Sequence, residues 1–565
     1  MTEELLEKAG GYVSKLVFND GESVEIKNND IVLFVGPNNA GKSQSLKDIY
    51  GLSGAKCPTT VVSDIEIQKY SGNLKHTLNH ISTGQNQGKY TQYQIMGGVV
   101  NVFDHTEHSF LSTPYFEDFR QVFVANLDTS ARLSICWPPV SINRDSPKQH
   151  PIHYAAFNAT YRKWLGDSFK KAFGTDLVPN TQFGAAIPLC MGEPVKFIKE
   201  FEDEQTRLEA YADVLSTYPQ VQDQGDGIKS FTGILLYLML DYYCTYLIDE
   251  PESFLHPPQA RIMGQIIGET LSDQQQAFIS THSEAVIKGL LETCPERLKI
   301  VRITRDGDKN HFSILNNDKF SEVWNDPLLK HSNIMSSLFH KTVVLCESDA
   351  DCQMYSIIEN HIKQKQGKYS EALFIHCGGK HRMAKVITAL KSLNVDVRVV
   401  PDIDAMNDEG VFKGIVEACG IEWSNISKDY RIIVSNLHST KEVINRSSAR
   451  TIILQILDNR SDTNLSKSEI DQIKNTVETV SKWDNIKKMG IPAIPAGDAT
   501  SAFRCLDAAL KSAGIHLVPV GELECFIKEA GGHGPAWVNN VLEEFPDLDN
   551  AVYSKITEFV AGLNL

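Results

Sequence analysis

No stretch of this 565-residue chain is long and apolar enough to cross a bilayer. The longest apolar run, Phe231–Leu240, is about half a membrane span and stops at Asp241. No Cys-x-x-Cys pair occurs. The eleven cysteines are odd in number and scattered, which fits reduced thiols better than a disulfide frame or a zinc site. The opening MTEELLEK is acidic and has no apolar core, so no export signal is expected and the expected location is cytoplasmic. Positive charge is in deficit, with 55 Lys and Arg against 71 Asp and Glu, a net charge of −16. Such a balance argues against coating nucleic acid through bulk electrostatics. Internal repeats, low-complexity tracts and long heptad regions are also missing, so no coiled-coil arm is expected. Apolar content of 42% is ordinary for a globular protein, and the length implies two to four domains.

What is present is two sets of motifs in a fixed order. The first begins with Gly36–Ser43, GPNNAGKS, after the continuous apolar strand Ile31–Val35 and before a helix expected over Ser43–Tyr50. Strand, glycine loop and helix N-terminus together surround phosphate with backbone N–H groups. Gly36, Pro37, Asn38, Asn39, Ala40 and Gly41 form the loop. Lys42 reaches the β- and γ-phosphates, and Ser43 offers its hydroxyl to Mg²⁺. YLIDEPE ends a predicted strand, Thr245–Asp249, with Asp249 placed to complete the Mg²⁺ shell and Glu250 to activate the attacking water. His282, in STHS after the strand Ala277–Ser280, is the candidate γ-phosphate sensor. GDGIKSF supplies Gly225, Gly227 and Ser230 at a helix start, read over Ser230–Tyr243, as a second anion-binding cap.

The second set is acidic. ESDAD places Glu347 after the strand Thr342–Cys346 and Asp351 on the first turn of a helix. DID places Asp402 and Asp404 after the strand Val397–Pro401, and GELE adds Glu522 and Glu524. Between them the pattern alternates strand and helix (Asp351–Lys363, Leu373–His376, Met383–Leu393), as in a parallel α/β sheet. Carboxylates at the carboxyl ends of parallel strands meet at one edge, where hard oxygen ligands suit Mg²⁺ or Mn²⁺. Two such ions about 4 Å apart can stabilise both the entering and the leaving oxygen at phosphorus. Ile515–Val520 is expected to return as a strand, and about Thr440 to Lys488 reads as a polar helical insertion. His361–Val400 holds eight bases (Lys363, Lys365, Lys368, Lys380, Arg382, Lys385, Lys391, Arg398) against Glu371 and Asp396, a candidate phosphate-contact island.

The first set resembles the ABC-type ATPases of the SMC-like branch, over Met1 to about His340. In that family the second cap faces the γ-phosphate held by another protomer, which implies ATP between two subunits. From about Lys341 the chain resembles a TOPRIM domain, and the fusion resembles the OLD (overcoming lysogenization defect) family of ATP-dependent endonucleases. The resemblance implies an α/β chain. An ABC-type ATPase domain at 1–335, with a lobe inserted at about 55–220, precedes a TOPRIM domain at 336–565, with a helical insertion at about 440–490. Glu347 and Asp351 match the family's Glu-xxx-Asp, Asp402 and Asp404 its Asp-x-Asp, and Glu524, preferred over Glu522, its later acid. Where the family carries Glu-Gly, this chain has Glu347-Ser348. A basic residue should reach the scissile phosphate: Lys380 first, Lys528 and His533 as alternatives.

The resemblance implies ATP and Mg²⁺ (or Mn²⁺) as cofactors, and DNA as substrate. It also implies a homodimer or larger oligomer through the ATPase domains, and anti-phage defence beside a retron or a helicase-like partner. No membrane partner is expected. A topoisomerase would need a tyrosine nucleophile, for which Tyr553 is available. A primase would need a template cleft, and a non-cutting DNA clamp would have no use for crowded carboxylates.

Overall fold

The computed structural model describes residues 8–96, 98–196, 203–307, 309–315, 333–438, 446–458, 465–466, 469–470, 472–473 and 482–565. The chain divides into two compact units, Met1–Ser321 and Glu322–Leu565. Asn333–Phe339 is a 3₁₀ helix.

The first unit is organised on a six-stranded mixed sheet. Its strand order is Lys309–Ile314, Leu298–Asp306, Ile31–Val35, Gln276–Ser280, Thr245–Asp249, Val124–Leu127. Only the first edge strand runs antiparallel to its neighbour. Ile31–Val35 is fully buried, as an apolar run at the centre of a two-sided sheet should be. The chain turns through Asn19–Gly21 into a hairpin, Ala9–Phe18 pairing with Ser23–Glu25. Two strands from the expected lobe join sheets formed by segments outside it. Val62–Ser71 pairs with Ala9–Phe18, and Val124–Leu127 closes the large sheet.

The helix expected over Ser230–Tyr243 spans Asp226–Leu238. The apolar residues after it, Leu240, Tyr242 and Tyr243, are buried in a turn, so burial there does not report helix. Among the described residues no helix is long and apolar enough to cross a membrane.

The second unit centres on three parallel strands in the order Ala372–His376, Thr342–Cys346, Asp396–Val400. They are in register, so Cys346, His376 and Val400 end side by side. The helix Asp349–Lys365 packs on Pro535–Glu544 and Ser554–Ala561 around Tyr355, Trp537 and Tyr553. Ile515–Val520 is not a strand. It makes one bridge, Ile515 to Val399, and a few backbone bonds including His516 N–H to Val399 O (2.8 Å) and Val518 N–H to Pro401 O (3.2 Å). Pro519 then has no N–H to continue a ladder. Of the expected insertion, Arg446–Asp458 and Lys482–Met489 are helices; most of the rest lies outside the described residues.

Candidate functional site

In the first unit, Asp249 pairs with Ser280, and Ser280 with Phe34. The glycine loop, the acidic pair and His282 therefore open from one sheet edge. Gly36 has φ +144, and a Cβ there would lie 1.9 Å from Ile303 O, so only glycine fits. Asn38 and Asn39 are exposed at the loop tip, and Ala40 O accepts from the buried Asn310 side chain (2.6 Å). Lys42 Nζ donates to Gly36 O (3.0 Å) and Pro37 O (2.7 Å). Burial pulls its ammonium down to about 8, against the nearby Glu250, Glu252 and Asp249 carboxylates. Ser43 is half-buried beside it.

Asp249 accepts from Ser280 Oγ. Glu250 stands in the left-handed region, φ +47, and its carbonyl oxygen accepts from the fully buried Arg132 (3.0 Å). Its carboxylate accepts from Ser253 Oγ (3.1 Å) and lies 3.6 Å from His282 Nε2. Burial, then the Lys42 charge, lowers the His282 pKa, which favours a neutral ring able to hydrogen-bond a phosphate. A carboxylate, a neutral imidazole and an ammonium around a phosphate loop are the groups needed to bind a triphosphate and activate water against it.

The second cap differs from expectation at one residue. Gly225 begins the helix Asp226–Leu238 with no side-chain cap, and Gly227 packs against Phe254 O, where a Cβ would lie at 2.5 Å. Ser230 lies a turn further on, fully buried, its hydroxyl without a hydrogen-bond partner. Spacing puts it at the helix start; the earlier start at Asp226 places it in the second turn, away from the free N–H groups of the helix end.

In the second unit Glu347, Asp402 and Asp404 offer carboxylate oxygens that all lie within 4.8 Å of one another. Burial, then Asp404, raises the Glu347 pKa; burial, then Glu347, Asp351 and Asp404, raises that of Asp402 strongly. Glu347 Oε2 is buried with no hydrogen-bond partner. An orphaned oxygen among crowded carboxylates fits a hard divalent cation, which would supply the missing bonds and the compensating charge. Lys380 is brought here. Its backbone N–H reaches Glu347 Oε1 (3.3 Å) and its ammonium reaches Asp404 Oδ1 (2.9 Å).

Asp351 and Glu524 stand one step back. Asp351, raised to about 6 chiefly by burial, accepts from Ser348 N–H (2.8 Å), while Ser348 Oγ caps Asp351 N–H. The serine in place of glycine is thus the helix cap. Glu524 accepts from Gly534 N–H (2.7 Å), and its Oε1 lies 2.6 Å from His533 Nδ1. Lys528 turns away to Lys488 O (2.8 Å).

Besides Lys380, four of the island's eight bases are engaged within the fold. Lys363 bonds Leu565 O (2.5 Å), Lys365 pairs with Asp549, Lys391 bonds Cys419 O (2.6 Å) and Arg398 pairs with Asp396 (2.6 Å). Tyr553 is buried and donates to Phe545 O (2.7 Å), so it presents no nucleophile.

Three participants escaped the sequence reading. Half-buried Glu252 accepts from His282 N–H (2.6 Å) and Thr281 Oγ1 (3.0 Å), holding the histidine turn. Its place in YLIDEPE, two residues after Glu250, was the only signal. Arg132 comes from the lobe and Lys487 from the insertion, and neither carries any motif. Lys487 Nζ is 3.2 Å from Glu522 Oε2 and 4.0 Å from Asp404 Oδ2.

Residues 152–288 match the family model "AAA domain, putative AbiEii toxin, Type IV TA system". Residues 338–404 match "Overcoming lysogenization defect protein-like, TOPRIM domain". No curated protein matches the chain. Solved structures that overlap it include the SMC head bound to the C-winged helix domain of ScpA (12% identity, TM-score 0.32, 55% of this chain and 99% of that one). Another is the SMC head domain from Thermotoga maritima (13%, TM-score 0.29, 55% and 100%). At these scores the overlaps carry no functional argument. The two family matches follow one another on one chain, in the order of the two motif sets: the chain carries an AAA-type ATPase domain followed by an OLD-like TOPRIM domain.

Proposed function

We propose that this protein is an ATP-regulated, Mg²⁺- or Mn²⁺-dependent DNA endonuclease that nicks or cuts its substrate, and that it serves anti-phage defence in the cytoplasm. The observation that carries the reading is the carboxylate trio Glu347, Asp402 and Asp404, with its orphaned oxygen and with Lys380 against Asp404. The three carboxylates would hold the metal, which when bound polarises the phosphodiester and lowers the pKa of water. Lys380 stands where it can neutralise charge gathering on the phosphate. In the first unit, Lys42, Ser43 and Asp249 would hold MgATP, and Glu250 would take the proton of the attacking water.

Plasmid incubated with the protein and Mg²⁺ or Mn²⁺ tests the reading. Nicked or linear product is expected. Relaxed closed circles would indicate a topoisomerase, and unchanged DNA a clamp. Glu250→Gln is expected to bind ATP yet hydrolyse it about a hundredfold more slowly, because the water loses its base. Wild-type turnover in that variant would move the base elsewhere.

A composite site between two protomers makes a separate prediction. Ser230 is buried, so the second cap is better blocked at Gly225, whose Cβ position has nothing within 4 Å. Mixing Lys42→Ala with Gly225→Arg protomers should restore part of the ATPase activity, since each heterodimer keeps one intact site. If mixed dimers form and stay inactive, each protomer works alone.

A further inference from the structure

The helix Lys482–Met489 ends against the turn that carries Glu522 and Glu524, and the contact is built into the backbone. Gly521, φ +112, lets the chain approach so closely that a Cβ there would lie 2.0 Å from Lys487 O. Gly490, φ +69, does the same against Pro519 O, also at 2.0 Å. Ile491 N–H bonds Pro519 O (2.9 Å), Lys528 Nζ bonds Lys488 O (2.8 Å), and Ile486 is fully buried. Lys487 is thus a placed side chain.

Its ammonium stands 3.2 Å from Glu522 Oε2. At 4.0 Å from Asp404 Oδ2 it is too far for a hydrogen bond, and its side chain is 42% exposed. The other Asp404 oxygen is taken by Lys380. An ammonium has three donors, so Lys487 keeps donors to spare beside the carboxylate trio.

We propose that Lys487, aimed by Glu522, grips a non-bridging oxygen of the substrate phosphodiester, so that the end of the insertion forms part of the nuclease centre. The proposal rests on the nuclease reading above. It makes Glu522 the holder of a lysine and leaves Glu524 as the further acid facing the metal site.

The test uses full-length protein in three measurements. These are plasmid nicking with Mn²⁺, binding of a duplex oligonucleotide in Ca²⁺ across a salt series, and the Mn²⁺-induced thermal shift. For Lys487→Ala we expect the KM for nicking to rise about tenfold with kcat changed less. The slope of log K against log salt should fall by about 0.9, the value of one phosphate contact. ATP hydrolysis and the Mn²⁺ shift should hold, and Lys487→Arg should restore binding. Glu522→Gln should behave as a weaker Lys487→Ala. An unchanged salt slope with wild-type nicking would overturn the assignment. So would loss of the Mn²⁺ shift, which would make Lys487 an organiser of the carboxylates. A wild type that binds duplex but never nicks would sink the nuclease reading, and the salt slope alone would then judge Lys487.

Discussion

Asp402→Ala is expected to lower strand cleavage by on the order of a thousandfold or more while ATP hydrolysis stays near wild type. Asp402 is the most desolvated of the trio, and removing it leaves Glu347 and Asp404 unable to enclose a cation. The ATP site lies in another unit on its own sheet, with its own acidic residues. Asp404→Ala and Glu347→Ala should act alike. Glu524→Ala should weaken metal affinity only, so that high Mn²⁺ partly rescues it.

A stability measurement on Asp402→Asn separates metal loss from misfolding. Burial and the neighbouring carboxylates raise the Asp402 pKa, so the metal-free fold holds this proton more tightly than the unfolded chain does. The favourable linkage is therefore complete below the ordinary aspartate range, about 4, and is lost as pH rises through the raised value. Metal-free Asp402→Asn should melt above wild type at pH 8, by about 2–4 °C, and the gap should close toward pH 4. Mn²⁺ should raise the melting temperature of wild type and not of the variant. Paired nicking and ATPase assays on one Asp402→Ala preparation are the deciding readout. Persistent nicking would place the nuclease elsewhere, and loss of both activities in a folded sample would mean that the two sites are coupled.

Lys42→Ala should reduce ATP binding at least about a hundredfold and abolish turnover. Among the described residues the Lys42 ammonium is bonded to the loop carbonyls of Gly36 and Pro37, and burial has weakened its hold on the proton. The ammonium would offset the charge of arriving phosphates; without it their charge would face Asp249, Glu250 and Glu252 uncompensated. Binding of a fluorescent ATP analogue checks this directly. Affinity within a few-fold of wild type would remove Lys42 from phosphate recognition. Nicking by the same variant, with and without ATP, then tells whether nucleotide licenses or restrains cleavage.

The sequence by itself determined the strands that carry both sites, and with them the order of the two units. Ile31–Val35, Thr245–Asp249 and Thr342–Cys346 are apolar runs followed at once by a glycine loop or an acid, and a parallel sheet buried on both faces demands that pattern. Because parallel strands end at one edge, motifs far apart in the chain could be expected to meet. Glu347, Asp402 and Asp404 do meet.

Only the tertiary structure decided what surrounds them. Arg132 reaches the Glu250 carbonyl from the lobe, and Lys487 reaches Glu522 from the insertion. Neither belongs to a repeating pattern, since each position depends on how whole segments pack. The partners of several bases in the basic island were hidden for the same reason. A run of lysines records composition, whereas their partners Leu565, Asp549 and Cys419 arrive from distant parts of the chain. Ser230 is not at the anion-binding end because its helix starts at Asp226, one turn earlier than the apolar run suggested, and by the second turn the backbone N–H groups are already bonded within the helix.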